Sequence, residues 1–208
     1  MELTATTMMS LDGVTQAPGG PEEDTSGGFD LGGWAMPYFD EVWAKAVAEN
    51  FARADAFLLG RRTYEIFAGY WPYADPENPI AAALNSLPKH VVSSTLSDLS
   101  WDGAALLDGE LTEAVAELKR RPGRELQVHG SIELTQALLA AGLVDRHHLL
   151  VFPIALRRGA RLFDGAVPPT KFRVEHSATS TNGVQLLTCV PDGAPELGSF
   201  EDLPEPRG

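Results

Sequence analysis

The sequence has a single cysteine, few basic residues and no long apolar run, and each shortage excludes a class of protein. Cys189 stands alone among 208 residues, which excludes an internal disulfide and a cysteine-based zinc site. No apolar run approaches the ~18 residues of a membrane-spanning helix, so no membrane partner is expected. Lys and Arg number 16 against 29 Asp and Glu. Without a basic face to neutralise phosphates, a nucleic-acid partner is not expected either.

The start of the chain lacks the features of a secretory signal. Met1 to Thr4 include no basic residue, and no apolar stretch follows them. Together with the single cysteine, this favours a cytoplasmic location. Apolar residues make up 44% and charged residues 22% of the chain, a mixture typical of one globular domain of this length.

Negative charge is concentrated in two segments that lack periodicity. Residues 16–37 are rich in Gly and Pro and carry Glu22, Glu23, Asp24 and Asp30 without any Lys or Arg. Loops of this length are usually functional or disordered, and we expect this one to cover a substrate. Residues 191–208 are predicted to form a flexible acidic tail beyond a domain at 1–190.

Strands alternate with helices along most of the chain, and an Asn182-Gly183 turn joins two strands near its end. This order predicts a single α/β domain with a mostly parallel central sheet, helices on both faces and an antiparallel C-terminal hairpin. Ligands of such sheets bind at the carboxyl ends of the strands. The predicted strands span residues 3–10, 56–59, 89–93, 104–107, 126–129, 148–152, 172–178 and 184–190.

Two arginines open a helix directly after the second strand. Arg61 and Arg62 follow Gly60 and precede Thr63, although cations at a helix N-terminus cost ~0.3–1 kcal/mol each. A bound phosphate, held by backbone N–H groups and guanidinium, would explain them. Pairing of the arginines with Glu65 would explain them as well.

Two further strand ends have anion-binding chemistry. Ser93, Ser94 and Thr95 offer three hydroxyls for phosphate or ribose, or form a turn that bonds its own backbone. Gly130-Ser131 allows close approach of a pyrophosphate, or is a tight turn with Ser131 as N-cap. No G-x-G-x-x-G motif or P-loop is present. Three such ends in one sheet favour a dinucleotide.

The motifs at these positions resemble the dihydrofolate reductase-like family. The similarity covers roughly residues 3–190, and it is greatest to the branch of the reductase domain of the bifunctional riboflavin-biosynthesis deaminase-reductase. It implies one α/β domain that binds NADPH across the carboxyl edge of the sheet, acts on a small-molecule substrate and often forms a homodimer. The matching segments are Met9 to Gly13, Leu59 to Glu65, Val92 to Leu96, and the stretches Gly142 to Asp145 and Arg161 to Phe163.

Cofactor contacts follow from this resemblance position by position. Gly60, Arg61, Arg62 and Thr63 would meet the cofactor phosphates at a helix start. Ser93, Ser94 and Thr95 would flank the adenosine 2′-phosphate. The pyrophosphate would lie against Gly130, Ser131, Ile132, Glu133 and Leu134. The family often has Gly-Gly where this chain has Gly130-Ser131.

Three carboxylates are candidates for the substrate side, and no metal is expected. Asp12 ends the first strand, where it could orient substrate or relay a proton, its pKa raised by a covering loop. It could instead make an Asp-Gly turn. Asp40 and Glu41 open a helix predicted over residues 39–51, with Phe39 on its apolar stripe. Because the two acids would point away from that stripe, folate is not favoured as substrate.

The sequence therefore predicts an NADPH-dependent reductase of a small heterocyclic or carbonyl substrate. The alternatives are a nucleotide-binding module without catalysis and a dimeric scaffold without ligand. His129, directly before Gly130, could approach the cofactor, although a histidine at a strand end is more often structural.

Overall fold

One eight-stranded sheet organises the part of the chain that the computed structural model describes, residues 1–165 and 167–199. The strand order is β4-β3-β2-β5-β1-β6-β8-β7. The strands are β1 (Glu2–Ser10), β2 (Ala54–Gly60), β3 (Lys89–Val92), β4 (Ala104–Leu106), β5 (Glu125–Val128), β6 (Arg146–Phe152), β7 (Phe172–Thr179) and β8 (Gln185–Pro191).

Strands β1 to β6 pair in parallel, whereas β8 is antiparallel to both β6 and β7. The α/β class, the mostly parallel sheet and the C-terminal hairpin are therefore confirmed. The connecting helices are α1 (Glu41–Phe51), α2 (Arg61–Tyr70), α3 (Pro79–Ser86), α4 (Leu111–Arg120) and α5 (Ile132–Ala140).

The central strands β2 and β5 are buried on both faces of the sheet, as their apolar runs require. On one face, Leu58 and Leu126 pack with Val115 of α4 and Leu138 of α5. Next to α3, Phe57 and Leu59 form a second cluster with Phe51 and Trp101. Within the described residues no helix is both long and apolar enough to cross a membrane.

The acidic loop (residues 16–37) is packed rather than loose. Its Ala17, Phe29 and Trp34 are buried in a third cluster with Trp43 and Phe152. The Trp34 indole donates a hydrogen bond to the Gln16 carbonyl at 2.7 Å. The loop has few helical residues, so its order comes from tertiary packing and not from local periodicity.

Most predicted boundaries differ from the structure by one or two residues, and two of these differences matter for the site and the tail. Helix α1 begins at Glu41, because Asp40 caps it; Phe39 therefore precedes the helix and is 61% exposed. At the other end, β8 runs to Pro191, and backbone bonds continue from Lys171 to Asp192 and Gly193. Of the predicted tail, residues 200–208 lie outside the described part of the chain.

Candidate functional site

A notch opens at the carboxyl edge where β5 ends early. Strand β5 pairs with β1 only as far as Ala5, whereas β1 continues to Ser10 with β6 alone. Residues 6–10 of β1 thus form one wall of the notch. Its floor is the turn His129 to Ser131, and its other wall is the β2–α2 junction, residues 60–63.

Two helices begin at this notch and touch each other. The Gly60 N–H donates to the Gly130 carbonyl at 3.0 Å. A Cβ added at Gly60 would lie 2.4 Å from Ser131 Oγ and 2.8 Å from Ser131 N. Gly130 has φ +127, and an added Cβ would lie 2.7 Å from Thr63 Oγ1. The structure therefore brings Gly60, Thr63, Gly130 and Ser131 together.

The helices at the notch are the ones without side-chain caps. Asp40, Asn78 and Glu110 cap α1, α3 and α4, whereas α2 and α5 begin at Gly60 and Ser131 with no capping side chain. Ser131 thus occupies the N-cap position without making the capping bond. Both helices therefore begin with N–H groups that no capping side chain accepts, and both helix dipoles are positive at these ends.

Of the other residues predicted near the pyrophosphate, Leu134 has a buried side chain. It is 5% exposed and belongs to the core under the sheet. Any contact of Leu134 with a ligand would therefore be made by its backbone in the first turn of α5, and the predicted contact stays a prediction. Ile132 is partly buried and Glu133 is exposed in the first turn.

The hydroxyl segment after β3 lies beside the notch. Gly60 pairs with Val92, so residues 93–95 lie next to the start of α2. Ser93 Oγ accepts hydrogen bonds from the N–H groups of Thr95 and Leu96 at 3.1 and 3.0 Å. The local turn therefore forms, and Ser94 and Thr95 are exposed beside it.

The two arginines have different partners. Arg62 Nη1 lies 2.5 Å from Asp24 Oδ2 and 3.3 Å from Ser26 Oγ, both in the acidic loop. Arg61 is exposed and has no ion pair within the described residues. Neither arginine pairs with Glu65 in the part of the chain that the structure describes, so that alternative is not realised.

The acidic loop reaches Arg62 from the opposite side of the notch. Gln16 Nε2 donates to the carbonyls of Asp24 and Ser26 at 3.1 and 3.0 Å, while Gln16 Oε1 accepts from Ala160 N at 3.0 Å. Ala160, to which Gln16 is bonded, follows β6, whereas Arg62 follows β2. Strands β5 and β1 lie between β2 and β6 in the sheet. The Asp24–Arg62 ion pair therefore closes over the end of β5.

Asp12 is held by backbone groups of the loop after β6. Its Oδ1 accepts from Leu156 N at 2.9 Å and from Ser10 Oγ at 2.7 Å, and its Oδ2 accepts from Arg157 N at 2.7 Å. These bonds, that from Leu156 foremost, lower the pKa of Asp12 to about 2. The expected increase of this pKa through burial is therefore wrong. A carboxylate held ionised is a poor proton donor near neutral pH.

The other two carboxylates lie at the start of α1. Asp40 Oδ1 accepts from Trp43 N and its Oδ2 from Asn182 N, both at 2.8 Å. The bond from Trp43 contributes most to the lowered pKa of Asp40. Asp40 thus joins the helix to the hairpin turn, while Glu41 is exposed. Catalytic roles for these residues stay predictions.

His129 and Gln127 form a row of hydrogen-bonded side chains at the floor of the notch; the sequence pointed to His129 as a possible neighbour of the cofactor but not to Gln127. His129 Nε2 lies 3.1 Å from Gln127 Oε1, and Gln127 Nε2 donates to Glu125 Oε2 at 2.7 Å. Burial, foremost, and His148 lower the pKa of His129 to about 3. The sequence contains a signal for this row, because Glu125, Gln127 and His129 are polar residues at every second position in and directly after a short buried strand.

Comparison with known proteins supports the fold and a family. The profile described as "RibD C-terminal domain" matches residues 2–186. The Bacillus subtilis (strain 168) protein named "Uncharacterized protein YyaP" is 26% identical over 133 residues, which is 62% of this chain and 70% of that protein.

Two solved structures share the fold. A Shewanella sp. PV-4 protein, described as a candidate riboflavin biosynthesis protein, has a TM-score of 0.65 at 22% identity, covering 92% of this chain and 99% of its own. A pyrimidine reductase-like protein from Corynebacterium diphtheriae NCTC has a TM-score of 0.59 at 18% identity, covering 92% of each chain.

Proposed function

Because this chain belongs to the RibD C-terminal domain family, a family of reductase domains, we propose that it is an NADPH-dependent reductase of a small heterocyclic or carbonyl substrate. One observation carries the proposal. The two uncapped helices, α2 and α5, begin side by side at the notch, where their open N–H groups suit the diphosphate of a dinucleotide.

The residues at the notch fit such a cofactor. Gly60 and Gly130 let the starts of α2 and α5 pack closely side by side, because an added Cβ would meet Ser131 or Thr63. Arg61 is an exposed cation without an ion pair among the described residues, which suits it to a phosphate. Ser93 Oγ accepts two backbone hydrogen bonds in a turn and lies 3.5 Å from Thr95 Oγ1, and the hydroxyls of Ser93, Ser94 and Thr95 would flank the 2′-phosphate.

The chain supplies position and electrostatics for the reaction. A bound nicotinamide cofactor supplies the hydride. The helix starts and Arg61 hold the phosphate oxygens, and the acidic loop shields the notch from water. Because Asp12 is ionised, it orients donors of the substrate or holds the loop after β6 in place, and it does not itself supply a proton.

NADPH is expected to raise the melting temperature. A ligand that binds only the native state adds about 2.7 kcal/mol at 100 times its Kd, equivalent to roughly 5–11 °C for a chain of this size. The measurement is thermal denaturation with NADPH and with NADH, and the smaller rise is expected for NADH, which lacks the 2′-phosphate. Absence of any rise at millimolar NADPH would refute the proposed function.

Asp24→Asn is expected to tighten NADPH binding about three- to tenfold at low salt, because it releases Arg62 from a competing carboxylate. Fluorescence titration of NADPH measures this effect. The matched control is Glu22→Gln, which removes one negative charge from an exposed position of the same loop. If both variants bind NADPH alike, or Asp24→Asn binds it more weakly than the control, then Arg62 does not compete for phosphate.

A nucleotide-binding module without catalysis is the second candidate. Backbone N–H groups donate to Asp12 and to Asp40. Of the three carboxylates predicted on the substrate side, only Glu41 then lacks such bonds among the described residues, which favours a module without catalysis. NADPH consumption with a panel of carbonyls and pterins separates the two candidates. A homodimer also stays a proposal, which light scattering of the purified protein tests.

A further inference from the structure

The hydrogen-bond network beneath the notch sets the tautomer of His129. Gln127 Nε2 donates to Glu125 Oε2 and to the Asn50 carbonyl, each at 2.7 Å. Both partners are acceptors, so the amide nitrogen of Gln127 must face them. Its Oε1 therefore faces His129, and His129 Nε2 must carry the proton that it donates to Gln127 at 3.1 Å.

The second ring nitrogen of His129 is consequently an unprotonated acceptor. It has no hydrogen-bond partner within residues 1–165 and 167–199. Nδ1 is also not completely buried, whereas both nitrogens of His147 are completely buried and have no hydrogen-bond partner among the described residues. His129 Nδ1 is therefore an unpaired acceptor that is not fully enclosed, unlike the two nitrogens of His147.

The ring orientation turns this acceptor away from Gln127. Nε2 points to Gln127, two residues back towards the amino end of β5. The two nitrogens of an imidazole point in widely divergent directions, and Nδ1 is on the side of the ring nearest the His129 backbone, which Gly130 and Ser131 follow in the chain. Phe51 holds the ring in place by stacking at 4.4 Å between centroids and 15° between planes.

We propose that His129 is a ligand-binding residue at the floor of the notch, where its Nδ1 accepts a hydrogen bond from an N–H group carried by a planar heteroaromatic ring. This inference rests on the proposed function, because that chemistry is shared by the carboxamide of a nicotinamide cofactor and by an amino-substituted heterocyclic substrate. An acceptor fixed in this way selects for N–H donors and rejects carbonyl oxygens at the same place, since two facing acceptors leave both unpaired.

Nitrogen NMR of histidine-labelled protein tests the proposal. The free protein is expected to show His129 with an unprotonated Nδ1, assigned by its loss in His129→Phe. NADP⁺ is added first, and 2,4-diaminopyrimidine is added to the NADP⁺ complex second. An upfield shift of Nδ1 in either arm supports the proposal and identifies the source of the donor. The resonances of His90 and His176, on β3 and β7, are internal controls that stay unchanged.

Binding constants give a second readout. His129→Phe keeps a ring to stack on Phe51 but lacks the acceptor nitrogen. We therefore expect the variant to bind whichever compound shifts the Nδ1 resonance about three- to tenfold more weakly than wild type, which corresponds to one hydrogen bond. If NADP⁺ is that compound, its 3-acetylpyridine analogue, which lacks the N–H group, binds wild type and variant equally.

An Nδ1 that is protonated in the free protein, or that stays unshifted in both arms, overturns the inference. If His129→Phe fails to fold, the loss of the resonance in His129→Gln supplies the assignment. Failure of the proposed function is a different result, namely no NADPH-induced increase in melting temperature.

Discussion

Gly60→Ala is expected to lower the melting temperature by roughly 3–10 °C and to weaken NADPH binding more than tenfold. The added Cβ would lie 2.8 Å from the backbone nitrogen of Ser131, and overpacking of this kind costs ~1–3 kcal/mol. Because the clash includes backbone, the starts of α2 and α5 must move apart. That movement separates the N–H groups that we propose to bind the diphosphate. Thermal denaturation and fluorescence titration measure the two effects.

Gly69→Ala is the matched control for this experiment. Gly69 lies in the same helix, and a Cβ added there meets no atom within 4 Å. Alanine in an exposed helix interior is more favourable than glycine by up to ~1 kcal/mol, so this variant should be as stable as wild type or slightly more so. If Gly60→Ala behaves like Gly69→Ala in both measurements, close packing of the helix starts does not matter for binding.

Asp12→Asn is expected to lower the free energy of unfolding by about 1–2 kcal/mol at pH 7, once solvent screening of its partly exposed side chain is allowed for. An asparagine has one acceptor oxygen where the aspartate uses two, so the bonds from Leu156 N and Arg157 N are not both kept. Denaturant unfolding measured from pH 7 to pH 2 tests this expectation.

The pH dependence of this difference has a defined sign. The pKa of Asp12 in the folded protein is about 2, below its ordinary value of 3.8. The stabilisation is therefore fully present above about pH 4 and is lost as the pH falls through 2. Wild type and Asp12→Asn should converge there.

Asp30→Asn is the control, because Asp30 contacts Arg158 near the same loops but is 67% exposed. An exposed ion pair contributes little, so this variant should stay close to wild type across the range. If Asp12→Asn is as stable as wild type at pH 7 but has at least tenfold lower turnover, Asp12 acts on the substrate as the sequence suggested.

Local pattern was enough to predict the order of elements and the three strand ends. Residues that alternate or recur every three to four positions are read along the chain, and the Asn182-Gly183 turn needs no distant partner. Consecutive parallel strands joined by helices then place Ser93, Gly60 and Gly130 at one edge, and these segments do lie on adjacent strands.

Side-chain roles depended on partners that are distant in sequence. Arg62 faces Asp24 and not Glu65, because the acidic loop is anchored to Ala160 and reaches back across the notch. Asp12 is ionised because backbone N–H groups about 145 residues away converge on it. Neither arrangement has a local pattern that sequence spacing could reveal.

The sequence by itself determined that this chain is an α/β domain, because secondary structure and strand direction follow from short-range periodicity and turn chemistry, and it predicted phosphate-binding chemistry at the strand ends. The tertiary structure alone decided which of those groups remain open to a ligand. Burial and hydrogen-bond saturation depend on long-range packing. Among the residues that the structure describes, this packing leaves Arg61, the starts of α2 and α5 and His129 Nδ1 without a side-chain partner, while it engages Arg62, Asp12 and Asp40.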